Sequence, residues 1–155
     1  MEQKTKVNAE EGRQELFITR EFDLPVELVF RAHTEADLIE QWMGTKVLKL
    51  ESRKHGGYQL RTGDDKGNVY FQANGAIHEF VPNKKIIRTF EMDNAPFGVQ
   101  LEIYEFTPLT DDTSLLKMHV IYESVALRDQ VLTLPFKQGI NMAHDKMQAV
   151  ASKLK

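Results

Sequence analysis

The chain has 155 residues, with 41% hydrophobic and 28% charged side chains, which suits one globular domain. Its formal charge of −3 excludes the basic footprint that is typical of nucleic-acid-binding proteins. The sequence contains no cysteine, which excludes disulfides and thiolate metal sites and fits a reducing compartment.

The N-terminal segment is polar. Residues 1–14 lack the apolar core of a secretory signal. Elsewhere no run approaches the roughly 20 apolar residues of a membrane-spanning helix. We therefore predict a cytoplasmic protein with a flexible tail over 1–14 and one domain over 15–155, and we expect neither a membrane nor a nucleic-acid partner.

The first predicted elements are one strand and two short helices. Residues 15–22, with the sequence ELFITREF, are rich in β-forming residues and predict a strand. In DLPVELVFRAHT the apolar residues have helical spacing, with Asp23 as the predicted N-cap and Pro25 in the first turn. A second helix is predicted in TEADLIEQWMG, with Thr34 as its N-cap and Gly44 at its end.

From 45 to 122 the pattern changes to strands and turns. Six strand candidates follow one another, joined by short turns such as GDDKGN and PNKK. Short connections between successive strands predict an antiparallel meander. Gly75 interrupts VYFQANGAIHEFV and predicts a β-bulge there. The segment ALRDQVL predicts a small helix after the last strand.

The chain ends in a predicted helix of about five turns. Its apolar residues recur at intervals of three or four and form one stripe; they are Phe136, Ile140, Ala143, Met147, Val150 and Leu154. This stripe needs a partner, and the meander is the large surface available. The sequence therefore predicts an α+β fold in the order β-α-α-β6-α, with a curved antiparallel sheet wrapped around the C-terminal helix. The small residues Gly139 and Ala143 favour a gap between sheet and helix.

Four segments stand out in order along the chain: LPVELVFRAHTEADLIEQWMG, HGGYQLRT, GAIHEFVPNKKIIRTFEM and QGINMAHDKMQAVASKL. The first contains a Pro-x-x-x-Val-Phe pattern followed by a tryptophan, and the third contains Gly-x-Ile-x-Glu before a proline. Together they resemble the START-like (SRPBCC) superfamily, and within it the subfamily named after the C-terminal domain of the activator of the heat-shock protein 90 ATPase. The resemblance covers about 15–155 and implies the helix-grip fold.

The chain departs from this family at positions that shape a pocket. Met43 stands where family members often carry a second aromatic residue beside Trp42, and Ala143 and His144 stand where many carry a Gly-Trp pair. A ligand therefore cannot be carried over from a relative. The sequence also lacks the additional domain that precedes this fold in the eukaryotic co-chaperone, so we expect no chaperone partner.

Conventional catalytic motifs are absent from the sequence, including the nucleophile elbow, the phosphate loop and the dinucleotide fingerprint. None of the five histidines has metal-ligand spacing with another. The acidic residues at 64–65 and 111–112 are explained by turn chemistry. We therefore predict no catalytic residue, no metal and no cofactor.

A gap between sheet and helix would be lined by aromatic and apolar residues with a few polar groups. The predicted cavity residues are Trp42, Tyr58, Leu60, Tyr70, Phe90, Phe97, Ile103, His119, Phe136, Ile140, Ala143 and His144. The two histidines are the candidates for hydrogen bonding or proton transfer to a ligand. The alternative for each histidine is a local hydrogen bond with no further role.

Alternation assigns faces to the strand residues. Leu101 and Ile103 should face the helix, which turns Tyr104 outward and removes it from the cavity set. We interpret Arg88 as lying at a strand end or edge and reaching solvent. The alternative is an internal Arg88, which would need a partner such as Glu79 or a ligand carboxylate.

Three functions are compatible with this sequence. The preferred hypothesis is a non-enzymatic binding module with an internal hydrophobic cavity for a small apolar or amphipathic ligand. The second is an enzyme of the same fold that applies acid–base chemistry to an aromatic or polyketide-like substrate through His119 or His144. The third is a stress-related, co-chaperone-like interaction protein, which rests on family analogy alone. A homodimer is compatible with all three.

Overall fold

An eight-stranded antiparallel sheet forms the framework of the computed structural model, which describes residues 4–93 and 95–155. Its strands are β1 (Lys6–Asn8), β2 (Glu15–Phe22), β3 (Lys46–Leu50), β4 (Gly57–Gly63), β5 (Val69–Val81), β6 (Lys85–Met92), β7 (Val99–Pro108) and β8 (Ser114–Ile121). The strand order is β1-β2-β8-β7-β6-β5-β4-β3. Strands β3 to β8 therefore form the predicted meander, and β2 pairs with its last strand.

Four helices complete the fold. They are α1 (Val26–Thr34), α2 (Ala36–Met43), α3 (Val125–Leu132) and α4 (Phe136–Ser152). The predicted order β-α-α-β6-α and the α+β helix-grip class are confirmed, with β1 and the short α3 as additional elements. Within the described residues, no helix has both the length and the apolar character needed to cross a membrane.

The predicted N-terminal tail is wrong for the segment that contains β1. This strand pairs antiparallel with β2, with Lys6 opposite Thr19. Thr5 is buried, and its backbone N–H donates to Oδ1 of Asn141 on α4 at 3.0 Å. Its hydroxyl accepts a hydrogen bond from the buried Arg20 at 3.2 Å. A buried guanidinium needs acceptors, and the segment supplies one. Residues 1–3 of the predicted tail lie outside the described residues.

The predicted ends of α1 and α2 are confirmed only in part. Gly44 closes α2 with φ 64°, the left-handed conformation that favours glycine, as predicted. The predicted caps at Asp23 and Thr34 are wrong, because Pro25 and Glu35 precede the two helices and neither supplies a side-chain cap. The Thr34 hydroxyl instead donates to the carbonyl oxygen of Phe30 at 3.0 Å.

Gly75 does not form the predicted bulge. It pairs with Tyr58 in regular register, and the irregularity between β5 and β6 lies between Ile77 and Glu79. A Cβ atom at position 75 would overlap the ring of Tyr58 and the carbonyl oxygen of Thr89. The Tyr58 hydroxyl donates to that carbonyl at 2.5 Å. Glycine is therefore needed here for the close approach of a tyrosine rather than for a bend in the strand.

Helix α4 divides into two halves. In its second half, Met147, Val150 and Ala151 are buried in the core. In its first half, Phe136 and Ile140 are only half-buried against that core. Leu154 lies beyond the end of the helix and is exposed, so its predicted place in the packed stripe is wrong. The space beside the first half of α4 is where the cavity lies.

Candidate functional site

A cavity of about 510 Å³ lies between the inner face of the sheet, α2 and the first half of α4. Its wall is mostly apolar, with contributions from Ile18 of β2, Met118 and Val120 of β8, and Ile39 of α2. The exposed lining residues Leu134 and Gly139 lie just before α4 and in its first turns. This size and character are typical of sites for small organic ligands.

Most of the predicted cavity residues line this space. They are Trp42, Tyr58, Leu60, Phe90, Phe97, Phe136, Ile140, Ala143 and His144. Gly139, which was predicted to widen the gap, lines it as well, and no atom beyond its chain neighbours and the nearby backbone of α4 lies within 4 Å of the place where a Cβ would be. The small residues on α4 thus leave space on the cavity side of the helix.

Three predicted residues lie elsewhere. Tyr70 is 68% exposed near the β4–β5 turn, where its hydroxyl donates to Oδ2 of Asp64 at 3.1 Å. His119 lies on the outer face of β8, stacked on Phe17 with ring centroids 4.3 Å apart. Its Nε2 is 2.6 Å from Oε2 of Glu15. The third is Ile103, which pairs with His119 on the same outer face.

The position of Ile103 shows that the predicted parity of β7 was wrong. Glu102 and Tyr104 are the residues that face inward, and both are about 95% buried and line the cavity. Leu101 and Ile103 face outward and are half-buried there. They share the outer face with neighbours from the adjacent strands, such as Ile87, which lies directly across from Ile103. The apolar character of Leu101 and Ile103 therefore led to the wrong prediction that these residues face the helix.

Arg88 is the centre of a polar cluster in the cavity wall, which corrects its predicted place at a solvent-exposed edge. Its Nε donates to Oε1 of Glu102 at 2.7 Å, and its Nη2 donates to the Tyr104 hydroxyl at 2.8 Å. That hydroxyl donates to the same Glu102 oxygen at 3.0 Å. Gln100 donates to the other carboxylate oxygen at 2.8 Å. We call Arg88, Gln100, Glu102 and Tyr104 the polar cluster.

The guanidinium of Arg88 also contacts aromatic rings. Its Cζ lies 4.7 Å from the ring centroid of Tyr58 and 5.0 Å from that of Tyr104. A delocalised cation is attracted to an aromatic face, particularly where both are removed from water. These contacts and the carboxylate of Glu102 hold the arginine in a fixed orientation within an otherwise apolar wall.

His33 of α1 lines the cavity and was not among the predicted residues. Its Nδ1 donates to the carbonyl oxygen of Val29 at 2.7 Å, which leaves Nε2 unprotonated. Its ring centroid lies 5.5 Å from that of Tyr104. Burial, with a smaller contribution from the charge of Arg88, lowers the pKa of His33 to about 4, against the opposing effect of the Val29 hydrogen bond. His33 is therefore a neutral acceptor at pH 7.

His144 of α4 lies in the core. It is 1% exposed, and its Nδ1 lies 3.0 Å from the Thr5 hydroxyl. Its ring makes an edge contact with that of Phe22, with centroids 5.6 Å apart. Burial, with smaller contributions from the proximity of His33 and Arg20, lowers the pKa of His144 to about 3. This histidine is neutral at pH 7 as well.

The tyrosine and histidine side chains that line this cavity are uncharged at pH 7. Burial raises the pKa of both Tyr58 and Tyr104, so these hydroxyls are poor acids. The lowered pKa values of His33 and His144 make both imidazoles weak bases. Within the described residues there is no group of three histidine or acidic side chains placed to hold a metal ion. What the wall offers is a large apolar surface with hydrogen-bonding groups at one place.

One protein-family model matches most of the chain. A family model described as "Activator of Hsp90 ATPase homolog 1-like protein" matches residues 23–152. No curated protein gives a significant match. The matched range begins after β2 and includes every element from α1 to α4, so the cavity lies almost entirely within it.

Solved structures with the same fold come from several bacteria. A protein from Rhodobacter sphaeroides is 19% identical, with a TM-score of 0.83, and the match covers 96% of this chain and 99% of that one. A protein from Mycobacterium smegmatis is also 19% identical, with a TM-score of 0.82 and coverage of 94% and 95%. A protein from Arthrobacter aurescens is 16% identical, with a TM-score of 0.84 and coverage of 96% and 91%. At these identities the similarity shows the fold alone.

Proposed function

Because the chain belongs to the Activator of Hsp90 ATPase homolog 1-like family, whose helix-grip fold typically binds ligands in a cavity, we propose that it is a non-enzymatic binding module for a small apolar or amphipathic molecule. The observation that carries this proposal is the cavity of about 510 Å³ with one polar cluster in an apolar wall. Such a wall favours burial of an apolar ligand, and a few polar groups fix its orientation. The proposal concerns this cavity and assigns no chaperone contact.

The alternative of an acid–base enzyme has weaker support. It depends on His119 or His144 as the proton carrier, and His119 lies on the outer face of the sheet, away from the cavity. His144 lines the cavity, but a pKa of about 3 makes it a weak base near neutral pH. Binding without proton transfer accounts for the same residues.

Ligand binding is expected to depend on free space beside Ala143. Ala143→Phe would place a ring in the cavity, whereas Ala149→Phe on the same helix would place one in solvent. A library of aromatic and lipid-like compounds should contain members that raise the melting temperature of the unmodified protein. At 100 times Kd, binding stabilises by about 2.7 kcal/mol, or about 5 to 10 °C for a chain of this size. Ala149→Phe should keep this shift, and Ala143→Phe should lose most of it.

Native mass spectrometry of gently purified protein provides a second measurement, since a retained ligand adds a discrete mass. The proposal fails if no library compound stabilises the protein and no small molecule co-purifies. It also fails if Ala143→Phe binds every compound as well as Ala149→Phe does. Both variants introduce the same apolar ring on α4, so a difference between them reports the cavity rather than the added hydrophobicity.

A further inference from the structure

The charges that line the cavity cancel each other. Among the described lining residues, Arg88 carries the one positive charge and Glu102 the one negative charge, and their side chains are paired at 2.7 Å. The lining histidines, His33 and His144, are neutral at pH 7. A charged ligand group that entered this space would lose its hydration and find no unpaired counter-ion. This arrangement therefore disfavours the binding of a charged ligand group.

Hydrogen-bonding capacity nevertheless remains in the polar cluster. Nη1 of Arg88 donates to no other described residue, so its N–H groups are available to a ligand. Oε2 of Glu102 accepts one hydrogen bond, from Gln100, and a carboxylate oxygen can accept more than one. Nε2 of His33 is a further acceptor without a described partner. Donor and acceptor capacity therefore occur together in one part of an apolar wall.

We propose that the cavity takes an uncharged amphipathic molecule with a hydroxyl group, such as a phenol or an alcohol, and that this hydroxyl binds at the polar cluster. This inference rests on the proposed function and specifies the class of its ligand. A hydroxyl accepts from Nη1 of Arg88 and donates to Glu102 or to Nε2 of His33, so it satisfies both kinds of group. The apolar remainder of the molecule lies along the aromatic wall toward Phe136 and the first turns of α4.

An ionised carboxylic acid would bind at the polar cluster less favourably than a hydroxyl compound. Its carboxylate can accept from Arg88, but it would then lie next to the carboxylate of Glu102, which already binds that arginine. Like charges repel strongly where water is excluded. A purely apolar molecule avoids the repulsion but leaves the polar groups without a partner in the bound state. A compound with a hydroxyl group avoids both the charge repulsion and the loss of hydrogen bonds.

Three probes of similar shape separate these cases. They are 4-hydroxybiphenyl, biphenyl-4-carboxylate and 4-methylbiphenyl, and their binding to the full chain is measured by calorimetric titration at pH 7.5. At this pH the phenol is neutral and the acid is ionised. We expect 4-hydroxybiphenyl to bind at least about tenfold more tightly than either of the others, which corresponds to one good hydrogen bond to a charged group.

Two variants test whether the polar cluster is responsible. Glu102→Gln leaves Arg88 without its counter-ion, so the preference should reverse by about tenfold or more in favour of biphenyl-4-carboxylate. Arg88→Met combined with Glu102→Gln removes both charges and leaves no buried ion unpaired. In that double variant the preference for the phenol over the methyl compound should fall by at least about threefold, with Nε2 of His33 remaining as an acceptor. The double variant keeps the test decisive if Glu102→Gln alone does not fold.

The outcomes distinguish this inference from the function on which it rests. If none of the three probes binds the unmodified protein, the inferred ligand class is overturned, whereas the proposed function is decided separately by the compound library and by co-purification. If 4-methylbiphenyl or the carboxylate binds as tightly as the phenol, the cavity still binds ligands and the inferred ligand class is wrong. Retention of the full preference for the phenol in the double variant also overturns the inference, because the selectivity would then arise elsewhere.

Discussion

Replacing Glu102 with alanine is expected to lower the free energy of unfolding by about 3 to 5 kcal/mol, which is the usual cost of removing one partner from a buried ion pair. Glu102 is 5% exposed and is the carboxylate that pairs with Arg88. Without it, the guanidinium retains the Tyr104 hydroxyl and two aromatic faces but has no negative charge nearby. The measurement is urea unfolding of Glu102→Ala at pH 7.

Glu105→Ala is the matched control, because it removes a carboxylate from the exposed side of the same strand. This control should change the free energy of unfolding by about 0.5 kcal/mol or less. Arg88→Met with Glu102→Gln should recover most of the stability lost in Glu102→Ala, since neutral replacement of a buried pair is often tolerated. If Glu102→Ala costs no more than Glu105→Ala, the pair is not a buried ion pair in solution.

Acidification from pH 6.5 to about 4 is expected to destabilise the protein through its two buried histidines. An unfolded histidine binds a proton below a pKa of about 6.5, whereas in the folded chain the pKa is about 4 for His33 and about 3 for His144. Between these values the unfolded state holds more protons than the folded state. Stability is therefore full above pH 6.5 and falls as the pH decreases, by about 1.4 kcal/mol per pH unit for each histidine.

The cations near these rings act in the same direction as burial. Arg88 lies near His33, and Arg20 lies near His144, so neighbouring cations disfavour protonation of both rings. The check is the free energy of unfolding measured by urea at pH 7, 6, 5 and 4.5. His33→Asn and His144→Asn should each reduce the slope by about 1.4 kcal/mol per pH unit.

His78→Asn is the control for this pH dependence, because the side chain of His78 is exposed on β5. It should leave the slope unchanged. Equal slopes in the unmodified protein and in both buried-histidine variants would mean that His33 and His144 accept protons in the folded state. In that case the pH dependence would have to come from carboxylates alone.

The architecture was predictable because each long element has its own regular pattern. The intervals of three and four from Phe136 to Val150 predict one helix, and that helix spans Phe136–Ser152. The strand predicted over 15–22 is Glu15–Phe22. Short polar turns between apolar runs predict hairpins, and each of them joins neighbouring strands in the sheet. These features are local, so one sequence contains them.

The inner and outer faces of β7 were not predictable from the same reasoning. Alternation divides Leu101 and Ile103 from Glu102 and Tyr104, but it does not say which set faces inward. Hydrophobicity suggests the first set, and the structure places the second set in the cavity wall. The deciding fact is the register that puts Glu102 directly across from Arg88. Opposite charges can then neutralise each other inside, and alternation along one strand does not specify which residue of the neighbouring strand lies opposite.

His33 was missed for a related reason. Its signal in the sequence is weak, since a histidine near the C-terminal end of a short helix is usually satisfied locally, as this one is through the Val29 carbonyl. Its place in the cavity wall depends on the packing of α1 against β7, where its ring meets those of Tyr104 and Phe106. Helix-to-strand packing is a tertiary property, and the spacing of residues along α1 does not specify it.

The order of the strands also constrains how the chain folds. Strand β2 is synthesised early, but one of the two strands beside it in the sheet is β8, near the end of the chain. The contact between Glu15 and His119 therefore joins residues 104 positions apart. Loop closure over that distance is entropically costly, so pairing of β2 should follow formation of the local meander hairpins. During synthesis, β2 can pair with β8 only after β8 has left the ribosome, so the cavity cannot close before then. Pulse-labelled hydrogen exchange should therefore find the β2 amides that bond to β8 protected later than the amides of β5 and β6, and simultaneous protection would contradict this order.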